Sequence, residues 1–350
     1  MNAATRSLHR FCLSGVVFAI PVLLVLCSYF VTDPFRVLRD YADISKGSIV
    51  PLNKDHVSTS IYERNHGSQG YNAFLLGSSR TLAYRFKDWR VHLGPDAVPF
   101  AFDAHKESLW GMHHKLRYLA EKGASIHDAL IIIDPLVTFA PLANSTGHLF
   151  IKDPRTSGES RFTFQKTFLE AYLADLFFVK YIDHSLFGVT RPYMKGMLDL
   201  DGNNIVDPIT AERSMPVEHR IQKDPDAFYA ERAELFFQRD TTVQSHYPRM
   251  ITKDHLMYLM EMRSMLDAQG TRYHIVISPL YDQKAIHPMD LKALELVFGR
   301  HNVHDHSGIN SITRNERNYI ETSHYREHVG RWIMDRIYGT GDKDGPMSGH

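Results

Sequence analysis

Past Cys27 the chain contains no cysteine; its two, Cys12 and Cys27, both lie near the N-terminus. Residues 33–350 therefore carry no thiol and no disulfide. That excludes cysteine nucleophiles and thiolate metal sites, and leaves stability to the apolar core. Net charge is lacking too, since 40 Lys and Arg balance 40 Asp and Glu. The basic surplus on which nucleic-acid binding draws is absent, so no nucleic acid is expected as a partner. No internal repeat is visible, and "GTGDKDGPMSGH" at 339–350 reads as a flexible tail.

Charge of either sign is also missing from one long stretch. "FCLSGVVFAIPVLLVLCSYFV", Phe11–Val31, holds 21 uncharged residues. As a helix it spans about 31 Å, the thickness of a bilayer's hydrocarbon core. Arg6 and Arg10 precede it, so the positive-inside rule predicts a cytoplasmic N-terminus, with everything after Thr32 outside. Residues 1–32 thus read as an uncleaved signal anchor, single-pass in the cell (inner) membrane, with the C-terminal domain extracytoplasmic or periplasmic. A cleaved signal peptide is the alternative. Against it, the run exceeds the usual apolar length of about 7–15 residues, and no small-x-small site follows.

What the rest of the chain has is alternation. Residues 33–70 are polar with little periodicity and read as a juxtamembrane connector. From there on, short apolar runs alternate with amphipathic stretches. Strands are predicted at Asn72–Leu76, Val98–Phe102, Ala129–Ile133, Tyr273–Ile277 and Asn302–Asp305. The runs are short and rather continuously apolar, and each gives way to a polar or turn residue, as strands buried on both faces of a parallel sheet do. Helices are predicted between them. One carries Leu109, Met112, Leu116 and Leu119, another Leu256, Leu259, Met262 and Leu266, and a last one covers roughly Tyr325–Tyr338. The pattern predicts an α/β domain over 71–338, a doubly wound, mainly parallel five-stranded sheet in three α/β/α layers. Roughly 140 residues separate the third strand from the fourth, far more than a crossover needs. Residues 140–250 are therefore read as an insertion covering one end of the sheet. It includes one apolar helix at 168–182 and a hairpin turn at "DLDGNN", 199–204.

Two blocks carry the chemistry. The first is Gly77-Ser78-Ser79-Arg80, where the first strand meets solvent at its carboxyl end, the end at which α/β sheets bind ligands. A serine there can act as a nucleophile whose own amide helps hold an oxyanion. As a purely structural residue, Ser78 or Ser79 would cap the next helix. The second block is Glu321-Thr322-Ser323-His324, just ahead of the last helix. At that spacing a carboxylate can orient an imidazole and stabilise its protonated form. Serine after the first strand and acid-x-x-His before the last helix bring the two chain ends together at one edge of the sheet.

In these blocks the chain resembles the SGNH/GDSL hydrolases, whose serine follows the first strand and whose acid and base share one block before the C-terminal helix. The resemblance covers residues 70–140 and 250–338. It is strongest to the membrane-anchored extracytoplasmic members, similar to proteins that O-acetylate exopolysaccharides or D-alanylate cell-wall polymers. It implies Ser79 as nucleophile, His324 as base and Glu321 as acid, with no cofactor. It also implies an acyl donor or carbohydrate polymer as substrate, and other envelope proteins as possible partners. The sequence departs from the family at three points. Glu321 stands where an aspartate is usual. "FAFDAHKES" lacks the oxyanion glycine, leaving Asp103, Ala104 or a nearby amide to substitute. Asp134-Pro135 replaces the asparagine block. An acid beside a developing oxyanion repels it unless turned away or protonated. These losses keep a second reading open, a catalytically weak binding or assembly subunit of an envelope-polymer complex.

Several other residues invite chemistry. Asp305 ends the fifth predicted strand and is an alternative acid to Glu321. Arg80 and Arg85 are candidates for charge contacts with an anionic substrate. "HNVHDHSG" gathers His301, His304 and His306, and His324 lies four residues from His328, but no metal-site motif of known type is present and no metal is expected.

Overall fold

The first strand, β1 (Ala73–Gly77), is buried along its whole length, and its neighbours explain why it is apolar throughout. It pairs in parallel with β2 (Pro99–Ala101) on one side and β3 (Asp128–Ile133) on the other. β4 (Arg272–Ile277) and β5 (Val303–Asp305) follow, also parallel. The sheet is five-stranded and all parallel in the order β2-β1-β3-β4-β5. All five predicted strands are present, with ends shifted by a residue or two. A two-stranded antiparallel ribbon, β6 (Tyr319–Glu321) and β7 (His324–Tyr325), lies outside the sheet. The computed structural model describes residues 3–140, 146–194, 196, 198 and 205–339, with side chains from residue 14 onward, residue 16 excepted. The hairpin turn expected at 199–204 and the tail after residue 339 lie outside the described residues.

The helices begin where their caps predict. α1 (Ala3–Thr32) is continuous through Pro21. Among the described residues no helix is long and apolar enough to cross a membrane, and the expected span at 11–31 starts outside the described side chains. α2 (Lys54–Gln69) falls inside the segment read as a connector. Its buried face is mixed, with Lys54, Asp55, Ser58 and Thr59 inside beside Val57, Ile61 and Tyr62, which masks its apolar stripe. Ion pairs place it there. Lys54 reaches Asp103 at 2.7 Å, and Asp55 lies 3.4 Å from both Lys115 and Lys152. Val50, Leu52, Val57, Ile61 and Tyr62 from this segment join the core.

α3 (Leu109–Glu121) is capped by Ser108 and buries Leu109, Met112, Leu116 and Leu119. The apolar stretch expected as one helix over 168–182 is two, α4 (Arg161–Leu173) and α5 (Phe177–Phe187). Asp175 and Leu176 take left-handed backbone angles between them. The reversal lets Tyr172 meet Tyr29 while Phe177 stacks on Phe35, contacts one straight helix could not make together. α6 (Lys253–Asp267), α7 (Pro288–Phe298) and α8 (Glu327–Ile337) complete the framework. Of the insertion, residues 210–218 start beside the carboxyl end of β2 and reach the β7–α8 junction. Thr210 accepts from the Ala101 amide, and Glu218 pairs with Arg326 at 3.0 Å.

Candidate active site

β1 ends at Gly77, whose φ of 145° and close neighbours leave no space for a side chain; a Cβ there would lie 2.7 Å from the Ile132 carbonyl oxygen. The chain then turns into a short 3-10 segment, Ser79–Ala83. Ser78 precedes it, buried, and its hydroxyl makes no cap and has no partner. Its carbonyl instead accepts from the amide and hydroxyl of Thr81. The capping role open to Ser78 or Ser79 is therefore not taken, and the Ser79 hydroxyl is left for other work.

Ser79 Oγ lies 2.8 Å from His324 Nε2. On the other side of the imidazole, His324 Nδ1 bonds Glu321 Oε1. A carboxylate can only accept, so Nδ1 carries the proton and Nε2 is free to accept from the serine. The second oxygen of Glu321 accepts from the Ser323 amide at 2.6 Å, which fixes the carboxylate in the plane it offers to the ring. Burial pushes the Glu321 pKa up. The bonds from His324 and Ser323 and the charge of Arg80 outweigh it and hold the carboxyl below its ordinary range. The longer side chain of glutamate is accommodated because acid and base sit on the two strands of the β6–β7 ribbon, paired directly opposite each other. Ser79, Glu321 and His324 are all only part-buried, so the array opens to solvent.

Two contacts clamp the serine turn to the histidine ribbon. Tyr325 OH donates to Tyr84 OH at 3.1 Å across a buried interface. Gly330 on α8 packs so closely that a Cβ would lie 2.1 Å from the Ala83 carbonyl oxygen.

The alternative acid is elsewhere. Asp305 Oδ1 accepts from the amide and hydroxyl of Ser307, closing its own turn, and does not meet His324. The three oxyanion candidates of the sequence are all engaged. The Ala104 amide donates to the Gly77 carbonyl at 3.2 Å. Asp103 is bound by Lys54 and by the Thr81 hydroxyl at 2.8 Å. Burial raises its pKa, but the Lys54 ammonium and these bonds hold it below the ordinary range, so it is a neutralised ion pair. Asp134 accepts from the amides of Leu136 and Val137, capping the one-turn helix Pro135–Thr138, and pairs with Arg80 at 2.9 Å.

Arg80 is the exception among the flanking charges. Its guanidinium also reaches Ser79 Oγ at 3.3 Å. Arg85 is instead held between Glu212 and Glu327, 3.3 Å from each, and is spent on structure. His105, not singled out from the sequence, belongs to the same neighbourhood. Burial, then the charge of Arg213, pushes its pKa down to about 3, and it feels the charge of His324. Only its place two residues after Asp103 hinted at this. The other histidines form contacts of their own. His304 Nε2 lies 2.9 Å from His274 Nδ1, His306 packs on Trp332, and His328 bonds Asn318. Among the described residues no group of three or more His, Cys, Asp or Glu is placed to hold a metal ion.

Ser79, His324 and Glu321 thus form a hydrogen-bonded line with the histidine in the middle, and an arginine lies alongside the serine. No family model matches the chain, and the search of curated proteins returns no matching relative.

Proposed function

We propose that the chain is a serine esterase or acyltransferase acting on acyl esters of an envelope or secreted polysaccharide. The observation that carries this is the Ser79–His324–Glu321 line. His324 Nε2 takes the proton of Ser79 as Oγ attacks the acyl carbon, and Glu321 steadies the imidazolium. The oxyanion of the tetrahedral intermediate meets the Ser79 amide, which has no intrahelical acceptor at the start of its turn. The Arg80 guanidinium takes the place of the missing glycine and asparagine donors. Collapse expels the alcohol, protonated by His324, and leaves an acyl-Ser79. Water or a sugar hydroxyl, deprotonated by the same histidine, then completes hydrolysis or transfer.

The strand order 2-1-3-4-5 is one that doubly wound sheets use and supports the SGNH-like reading of the fold. The uncharged run at 11–31 supports a membrane anchor with the domain outside the cytoplasm. A part-open triad, rather than one at the bottom of a closed cavity, suits a bulky polymer as acyl acceptor.

The engagement of Asp103, Ala104 and Asp134 favours the rival, a binding subunit that no longer turns over. A fluorophosphonate probe separates the two. Labelling of the full chain, lost in Ser79→Ala and His324→Ala but kept in Ser78→Ala, is the expected result. A folded wild type that does not label would overturn the catalytic reading.

A further inference from the structure

The N-terminal helix does not stand alone in the structure. Pro21, Val22, Val25 and Leu26 on α1 face Leu173 and Phe178 across an apolar crevice of about 270 Å³. One turn further on, Ser28 Oγ lies 2.8 Å from Tyr172 OH, and Tyr29 packs on the same ring. The α4–α5 hairpin therefore runs alongside the last third of α1, with Leu173 and Phe178, on either side of the turn Ala174–Leu176, facing Pro21–Leu26. From Val22 to Thr32 is about 15 Å of helix, half the thickness of a hydrocarbon core.

We infer that the α4–α5 hairpin is a second membrane element, its tip set among the acyl chains of the outer leaflet beside the anchor. The inference rests on the anchor reading. If residues 11–31 cross the bilayer, whatever packs on Val22 and Val25 lies at that depth. The hairpin's surface is composed accordingly. Leu173, Leu176 and Val179 around the tip are all exposed, Leu176 by 61%, and none of the three is packed against the hydrophobic core. Further along α5 the character changes. Asp183 is paired with Arg191 and bonded by Tyr193, about 10 Å from the tip along the helix. That is the level at which charged and tyrosine side chains meet headgroups. Glu170 on α4 is paired with Lys166 at 3.2 Å. Asp175 at the tip and Lys180, next to Val179, oppose insertion, against three large apolar side chains that favour it.

The test uses the full chain, with Cys12→Ser and Cys27→Ser removing the native thiols. Single cysteines at Leu176, at Leu24 on α1 and at Leu296 on α7 are labelled with an environment-sensitive fluorophore. Each protein is reconstituted in phosphatidylethanolamine–phosphatidylglycerol vesicles carrying doxyl-labelled lipid. The expected result is a blue shift and loss of emission for Leu176→Cys comparable with those of Leu24→Cys, and neither for Leu296→Cys. Quenching of Leu24→Cys without quenching of Leu176→Cys overturns the inference and leaves the anchor standing, the face then being covered by protein or water. Absence of quenching at both positions removes the anchor reading, and the inference with it.

Discussion

Arg80 holds Asp134 and Ser79 at once, 2.9 Å from the carboxylate and 3.3 Å from the serine hydroxyl. The donor we propose for the oxyanion is thus fixed by the Asp134 carboxylate. Arg80→Met should lower kcat by about 10²–10³-fold, the usual cost of one oxyanion donor, with a much smaller change in KM. Arg80→Lys keeps the charge but cannot span both partners, and should restore only part of the loss. Steady-state kinetics on an aryl ester would show it. An unchanged kcat in Arg80→Met would remove the guanidinium from the mechanism.

Glu321→Gln keeps the size of the side chain and removes the charge that steadies the imidazolium. A roughly 10³–10⁴-fold fall in kcat/KM is expected, as for loss of the acid in other triads. The fluorophosphonate labelling rate should fall with it. Asp305→Asn, at the alternative acid, should leave both rates as they are.

Gly330→Ala tests the clamp between the two ends of the chain. The new methyl meets the Ala83 backbone, so α8 has to move away from the serine turn. A displacement of about 1 Å between nucleophile and base is enough to cost on the order of 10²-fold. Labelling should slow by that order while the circular dichroism spectrum stays native.

Lys54→Met leaves the buried Asp103 without its cation. Breaking a buried pair in this way costs about 3–5 kcal/mol, measurable by urea denaturation. Adding Asp103→Asn to the same chain should recover part of it, because the charge left unpaired is then gone. Activity should fall in the single variant too, since Asp103 also anchors Thr81 in the serine turn.

Acid should unfold the protein through its histidines. Burial pushes His105 and His306 down to about 3, and His274, His304 and His328 to about 4, from an ordinary 6.5. These groups stay neutral in the folded chain while the unfolded chain takes up protons. Stability is therefore complete above pH 6.5 and declines as the pH falls toward 4. His105 and His306 each contribute a slope approaching 1.4 kcal/mol per pH unit, about the most one group can give. Urea midpoints at pH 7 and pH 5 would show the decline, and His306→Leu, at a ring nitrogen that has no partner, should flatten it.

What the sequence made legible was whatever is written in local pattern. Strands buried on both faces have to be apolar throughout, so β1, β3 and β4 stood out. Ser79 and His324 stood out because each sits in a short block at a predictable strand or helix end. α2 was hidden because its buried face mixes ionic with apolar residues, and Lys54 and Asp55 look like surface residues until Asp103 and Lys115 are seen opposite them. That the Ala104 amide is engaged was hidden for a related reason. Whether the Ala104 amide is free depends on Gly77, 27 residues earlier, whose carbonyl occupies it. The break at Asp175–Leu176 is likewise set by distant partners, Tyr29 and Phe35, and leaves no glycine or proline to mark it.

Ser79 and His324 are 245 residues apart in the chain. During synthesis the serine is therefore made long before the imidazole it bonds, and no unfinished chain can hold the pair. The pairing also depends on the C-terminal segment staying packed: a single cut between β5 and β7 would leave Tyr325 on Tyr84 and Gly330 on Ala83 to hold His324 beside Ser79.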